Sequence, residues 1–131
     1  MIAIDTNVIV RGLIADDRQQ TERVLALLQT GEDLFVATTV LLESEWVLRK
    51  IDKLGARRAV EAIEAFVALP QVRLEHPERV ILALRRAREG FDFADALHHA
   101  AASEAGCDSF ATFDIAFANR PALQETKVTL L

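Results

Sequence analysis

The sequence predicts an α/β protein of three layers, in which a central, mainly parallel sheet of five strands lies between two layers of helices. Short apolar runs alternate along the chain with longer stretches of helical periodicity, as expected for parallel strands joined by crossover helices. No low-complexity segment and no Pro-, Gly- or Ser-rich linker interrupts the sequence, so residues 1–131 are predicted to form a single domain. With 51% hydrophobic residues, a domain of this length can bury a core without disulfides.

Five apolar runs are the predicted strands. The first, residues 1–4, stops abruptly at Asp5, Thr6 and Asn7, as a buried parallel strand does on reaching the edge of its sheet. The other strands are predicted at residues 34–36, 72–74, 109–112 and 127–130. Because binding sites in parallel sheets form at the carboxyl ends of the strands, residues that follow these runs are candidates for function.

Helices are predicted between the strands from apolar periodicity and from end signals such as Pro77 and Asp92. In the second helix the spacing places Val40, Glu43, Val47 and Ile51 on one face, so that an apolar face contains a carboxylate. The predicted helices cover residues 21–30, 39 to about 53, 77–90 and 92–105, and a further one that includes residues 59–67 and ends before Pro70.

The composition excludes several classes of protein. One cysteine rules out a disulfide framework or a Cys-based zinc site and indicates a reducing compartment. The longest uncharged apolar-rich stretch, residues 34–42, is about half of a membrane span, so a cytoplasmic protein with no membrane partner is expected. A net charge of -5 argues against binding nucleic acid by bulk electrostatics, but it allows an enzyme whose acidic residues hold a metal ion.

Four acidic side chains occupy positions that are not typical of a solvated surface. Asp5 and Asp114 each follow an apolar strand, Glu43 lies on the apolar helix face, and Asp95 lies one turn into a helix. A doubly wound sheet could gather all four at one switch point, where a divalent cation would relieve their mutual repulsion. Mg²⁺ and Mn²⁺ prefer oxygen ligands, and carboxylates with one or two such ions hydrolyse phosphodiesters.

Four segments carry a family resemblance. Residues 2–8 (IAIDTNV), 41–48 (LLESEWVL), 91–97 (FDFADAL) and 111–114 (ATFD) resemble, in this order and spacing, segments of the PIN-domain ribonucleases. In particular they resemble the VapC-type toxins of prokaryotic toxin–antitoxin pairs. The resemblance covers the full length of the chain and implies a PIN-like sheet with helices on both faces.

The resemblance implies a metal-dependent endoribonuclease that cuts single-stranded or loop RNA with Mg²⁺ or Mn²⁺. Four residues would be both catalytic and metal-binding: Asp5, Glu43, Asp95 and Asp114. Three polar residues would position ligands or water from just outside the metal shell: Thr6, Asn7 and Thr112. The family also implies a homodimer and a VapB-like antitoxin whose C-terminal tail occupies the active-site groove.

Some of these residues have a second interpretation. Asp5 could only end a strand or cap a turn. A helix shifted by one residue would turn Glu45 inward in place of Glu43. The spacing to the Trp46-Val47-Leu48 run favours Glu43, so Glu45 is expected at the surface or beside the metal shell. Asp92 is predicted mainly as a helix cap. The pair at positions 98 and 99, both His, is predicted to be made of ordinary polar helix residues.

Two functions of other classes remain open at this point. A phosphoacceptor receiver-like module also places acidic residues at the edge of a small parallel sheet, but it needs an acidic pair after the first strand, where this chain has Thr6 and Asn7 behind Asp5. A catalytically silent scaffold of the same fold would keep the carboxylates without turnover. Dinucleotide binding is not supported, because no Gly-x-Gly-x-x-Gly follows the first strand.

Overall fold

The computed structural model of the chain describes residues 1–51, 53–120 and 126–131. It divides into two compact units, Met1–Val80 (unit 1) and Ile81–Leu131 (unit 2). None of the described helices is both long and apolar enough to cross a membrane.

Unit 1 is a three-stranded parallel sheet with helices in each connection. In chain order its elements are β1 (Ile2–Ala3), α1 (Thr6–Leu13), α2 (Arg18–Gln29), β2 (Leu34–Val36), α3 (Thr38–Trp46), a π-helical turn (Val47–Ile51), α4 (Ala56–Val67) and β3 (Val72–Leu74). The strand order is β1-β2-β3, with Ile2 opposite Leu34 and Leu34 opposite Val72. Both strand connections pass through helices, which is the requirement for parallel neighbours.

The core of unit 1 lies between β2 and the helices. Leu34 and Val36 of β2 have no exposed surface, and α1, α3 and α4 pack against one another. Each helix contributes fully buried apolar side chains, such as Ile9, Leu41 and Ile63. Burial of each such side chain is worth roughly 1.5–3 kcal/mol relative to exposure, and this holds the three helices at the sheet.

Unit 2 contains a two-stranded parallel sheet. The helix α5 (Pro77–Arg88) begins in unit 1 and is followed in unit 2 by α6 (Phe93–Glu104), β4 (Ser109–Thr112), α7 (Ile115–Ala118) and β5 (Lys127–Leu130). Ser109 pairs with Lys127, and Thr112 pairs with Leu130. Buried side chains of α6, including Phe93 and Leu97, form much of the unit's core.

His99 belongs to the core of unit 2, contrary to the expectation of an ordinary polar helix residue. Its ring has no exposed surface and packs near Phe110 and Phe117, with centroid distances of 6.0 and 6.1 Å. Its Nε2 atom lies 2.6 Å from the carbonyl oxygen of Thr126, and its Nδ1 atom lies 3.0 Å from Nη1 of Arg86. The carbonyl requires a donor and the guanidinium requires an acceptor, so Nε2 donates to the Thr126 carbonyl and Nδ1 accepts from Arg86. The imidazole therefore joins α5, α6 and the residue before β5.

All five strands lie at their predicted positions, but the described residues do not form the single five-stranded sheet. In the described part of the chain the strands form two sheets, of three and two strands. The strands are only two to four residues long, so each offers few backbone groups to a neighbour. The α/β class and the parallel pairing are confirmed.

Two helices, α1 and α7, were not predicted. The α1 segment contains three successive β-branched residues, Val8 to Val10, which have weak helix propensity. A side-chain cap by Asp5 and the burial of Ile9 and Val10 stabilise the helix instead. Helix α7 has only four residues, which is too short for a periodic signal.

The predicted inward face of α3 is wrong. Glu43 is exposed and Ile51, in the π-helical turn, is 61% exposed, whereas Leu41, Glu45 and Leu48 are buried. Apolar residues occur on both sides of this helix, so its pattern did not determine which side faces the core. The shifted register, which turns Glu45 inward, is the one that the structure has.

Candidate active site

Asp5 and Asp114 are both positioned by capping the N-terminus of a helix. Each follows a strand and caps the next helix. The Oδ1 atom of Asp5 accepts a hydrogen bond of 3.1 Å from the backbone N–H of Val8, and that of Asp114 accepts one of 2.9 Å from the N–H of Phe117. A cap of this kind fixes the side-chain rotamer and holds the carboxylate beside the positive end of the helix backbone. Both carboxylates therefore keep a defined direction, and the capping role weighed for Asp5 is confirmed.

The three polar neighbours of these aspartates differ in their surroundings. Thr6 is 8% exposed at the start of α1, and Asn7 beside it is exposed. Thr112, the last residue of β4, accepts a hydrogen bond of 3.0 Å from the backbone N–H of Asp114 through its Oγ1 atom. Thr112 thus stabilises the turn that presents Asp114.

Asp95 lies in the first turn of α6, three residues after the capping residue Asp92. The Oδ1 atom of Asp92 accepts a hydrogen bond of 3.0 Å from the backbone N–H of Asp95, so the predicted cap is confirmed. Burial raises the pKa of the Asp95 carboxyl, the negative charges of Asp92 and Asp114 raise it further, and His98 partly offsets them. Unit 2 therefore brings Asp95 and Asp114 within electrostatic range of each other.

The two glutamates of α3 have opposite environments. Glu43 is exposed, so its carboxylate can contact a ligand from solvent. Glu45 is 2% exposed, and its Oε1 atom accepts a hydrogen bond of 2.8 Å from Nε of Arg49. A buried carboxylate with an arginine partner is typical of an internal ion pair. Glu45, which was expected at the surface or beside the metal shell, is therefore a core residue.

Each unit places two of the four predicted carboxylates. In unit 1, Asp5 caps α1 and Glu43 lies on α3, and these two helices pack against each other. In unit 2, Asp95 and Asp114 interact through their charges. Among the described residues, no group of three or more His, Cys, Asp and Glu side chains is close enough to hold a metal ion.

The donor chemistry nevertheless fits Mg²⁺ or Mn²⁺. These ions commonly bind through one or two carboxylates and complete their coordination with water and substrate phosphate oxygens. The raised pKa of Asp95 indicates a place where negative charge is unfavourable in the protein alone, and a cation would remove that penalty.

A comparison of the sequence with curated proteins finds no match. A comparison with protein-family models finds the PIN domain, matched over residues 2–123, which includes Asp5, Glu43, Asp95 and Asp114. PIN domains are generally metal-dependent nucleases, and the family implies a nucleic acid substrate. Since the match covers nearly the whole chain, this protein belongs to the PIN domain family.

Proposed function

We propose that this chain is an endoribonuclease that hydrolyses RNA phosphodiester bonds with Mg²⁺ or Mn²⁺. The observation that carries the proposal is the pair Asp95 and Asp114 in unit 2: the two carboxylates are within electrostatic range of each other, and burial, followed by the charges of Asp92 and Asp114, raises the pKa of Asp95. The membership in the PIN domain family supports a nuclease, and the single-stranded RNA substrate follows the resemblance to VapC-type toxins.

In this proposal, residues 1–131 act as one nuclease domain. Asp5, Glu43, Asp95 and Asp114 would bind the metal ion, and Thr6, Asn7 and Thr112 would orient those side chains or water. When bound, the cation would activate a water molecule for attack on phosphorus and stabilise the leaving oxygen. The capped aspartates favour this role, because a carboxylate that already has a fixed direction loses little entropy on binding an ion.

The test is cleavage of a randomised single-stranded RNA by the purified full chain, with Mg²⁺ or Mn²⁺ and with EDTA. We expect metal-dependent cleavage that falls more than about a hundredfold in Asp95→Asn and in Asp114→Asn. For Thr112→Val the expected loss is about 10- to 100-fold, since this residue acts through Asp114.

Asp108→Asn is the matched control, because Asp108 is an exposed aspartate of unit 2. Circular dichroism of every variant shows whether it is folded. Cleavage that persists in both Asp95→Asn and Asp114→Asn, or that needs no divalent ion, would contradict the proposed mechanism. A folded wild-type protein that binds Mn²⁺ without cutting RNA would indicate the catalytically silent scaffold.

We also propose that the nuclease is the toxin of a type II toxin–antitoxin pair and acts as a homodimer in the cytoplasm. The resemblance of its four motif segments to VapC-type toxins supports the toxin, and the single free cysteine, Cys107, is consistent with a reducing compartment. Induced expression in bacteria should arrest growth for the wild type and not for Asp95→Asn. Light scattering of the purified protein tests the dimer, and normal growth under wild-type expression would count against the toxin.

A further inference from the structure

A pocket of about 180 Å³ opens between α1 and α2 in unit 1. Three residues of each helix line it: Asn7, Val8 and Arg11 from α1, and Gln20, Arg23 and Val24 from α2. No carboxylate is among these lining residues. The pocket thus combines an apolar interior with amide and guanidinium groups.

The apolar part of the pocket is built by the close approach of the two helices. A Cβ atom on Gly12 would lie 3.0 Å from Cγ1 of Val24, so the absence of a side chain at Gly12 allows α2 to come this near. Val24 is 7% exposed, and Val8 is partly buried beside it. These two side chains give the pocket surfaces against which a flat apolar group can pack.

The polar side chains at the pocket differ in their contacts with the rest of the protein. Arg11 is held by an ion pair of 2.6 Å between its Nη1 atom and Oδ1 of Asp16. Within the described residues, the side chains of Asn7, Gln20 and Arg23 have no hydrogen bond to the protein and are exposed. Three hydrogen-bonding side chains around an apolar pocket are the usual composition of a small-ligand site.

We infer that this pocket binds one nucleobase of a single-stranded RNA substrate, an inference that rests on the proposed nuclease function. An apolar cavity of about 150 Å³ is enough for a benzene ring, so a pocket of 180 Å³ accommodates a flat heterocycle. A base presents apolar faces to Val8 and Val24 and a polar edge to the amides, which can both donate and accept hydrogen bonds. Arg23 can stack on the base or neutralise its phosphate.

The pocket lies next to Asp5, one of the proposed metal ligands. Val8 lines the pocket, and its backbone N–H donates the hydrogen bond of 3.1 Å to Asp5. A base bound there therefore belongs to a nucleotide close to the bond that is cut. The site would select the base at one fixed position relative to the cleavage point.

Binding can be tested without cleavage. The full chain, in EDTA, is titrated with each of the four nucleoside monophosphates while methyl NMR signals of Val8 and Val24 are followed. We expect saturable shifts with at least one nucleotide and none with ribose phosphate, which lacks a base. Gln20→Ala and Arg23→Ala should each weaken binding by about fivefold or more. Their matched controls, Gln19→Ala and Arg18→Ala on the same helix, should change it less than about twofold, since neither residue lines the pocket.

No shift with any nucleotide would overturn the inference. Equal shifts with ribose phosphate would show an anion site, and equal shifts with leucinamide would show a pocket for apolar peptide side chains; either result also overturns it. Sequencing the cleavage products of a randomised RNA provides the second test, and a base preference that Gln20→Ala relaxes and Gln19→Ala keeps would support the pocket.

The two proposals can fail separately. RNA cleavage without any base preference near the cleavage point would support the nuclease and contradict the base-binding pocket. Nucleotide binding at Val8 and Val24 by a protein that cuts no RNA would contradict the proposed nuclease function and support the base-binding pocket.

Discussion

Asp95 lies within electrostatic range of Asp114, and burial together with the charges of Asp92 and Asp114 raises the pKa of the Asp95 carboxyl above its usual value. A raised pKa means that the folded protein favours the protonated carboxyl. The stability that this provides is complete below the unfolded value of 3.8 and is lost as the pH rises through the folded pKa. At neutral pH the charged form of Asp95 therefore destabilises the metal-free protein.

Replacing Asp95 by Asn should accordingly stabilise the metal-free protein at pH 7. We expect a gain below about 1 kcal/mol, since the side chain is partly exposed, and the gain should disappear below pH 3.8. The measurement is chemical unfolding of both proteins in EDTA across this pH range. A variant that is less stable than the wild type at pH 7 would contradict the interpretation.

Substitution of the two glutamates of α3 should affect different properties: Glu43 the cleavage activity and Glu45 the stability. Glu43→Gln should lower RNA cleavage more than about tenfold and leave the free energy of unfolding within about 0.5 kcal/mol, because Glu43 is exposed. Glu45→Gln should cost about 2 kcal/mol, because the buried carboxylate loses a charge-assisted hydrogen bond with Arg49. Cleavage rates and urea unfolding of both variants test this. Loss of activity only in the folded Glu45 variant would reverse the assignment.

His99→Phe should destabilise the protein by about 2–3 kcal/mol. The substitution keeps an aromatic ring but removes the donor to the Thr126 carbonyl and one acceptor for Arg86, both in the interior of unit 2. Urea unfolding measures the loss, and His98→Ala is the matched control, since His98 is exposed. Equal stability of His99→Phe and the wild type would show that this hydrogen-bond network contributes little.

Glu75 should stabilise unit 1 only while it is ionised. The backbone N–H of Thr38 donates a hydrogen bond of 2.7 Å to its Oε2 atom and lowers the pKa of Glu75, at a helix start where Ala37 provides no side-chain cap. A lowered pKa means that this contribution is present above the unfolded value of 4.5 and is lost as the pH falls through the folded pKa.

Glu75→Gln should therefore lower the melting temperature at pH 7, with a difference that shrinks as the pH falls below 4.5. This trend is opposite to that of Asp95→Asn, so thermal scans of the two variants in the same buffers form an internal check. Glu32→Gln, an exposed change in the same unit, serves as the control. A pH-independent difference for Glu75→Gln would indicate that the hydrogen bond does not depend on the charge.

The local sequence predicted those parts of the site that depend on near neighbours. Asp5 and Asp114 were identified because each follows an apolar strand, and both are helix caps whose partner is three residues away. Asp92 and Asp95 were likewise placed correctly at the start of α6. An interaction between residues three positions apart can be predicted from the local sequence, because it does not depend on which other elements pack against the helix.

Other features depended on contacts between distant segments. The orientation of α3, which buries Glu45, follows from packing against α1 and α4, because the helix is apolar on both sides. His99 is buried because Thr126, 27 residues later, supplies the carbonyl for its proton. The pocket near Asp5 was not predicted, since it requires α1, whose β-branched residues do not indicate a helix.

The sequence by itself determined that this is an α/β protein with parallel strands and carboxylates at the strand ends, because strand periodicity and helix caps are short-range properties. Only the tertiary structure decided that the described strands form two sheets, that Glu45 rather than Glu43 enters the core, and that His99 is buried. Whether a side chain is buried depends on residues of other segments that pack around it, and a single segment of sequence does not show which residues these are.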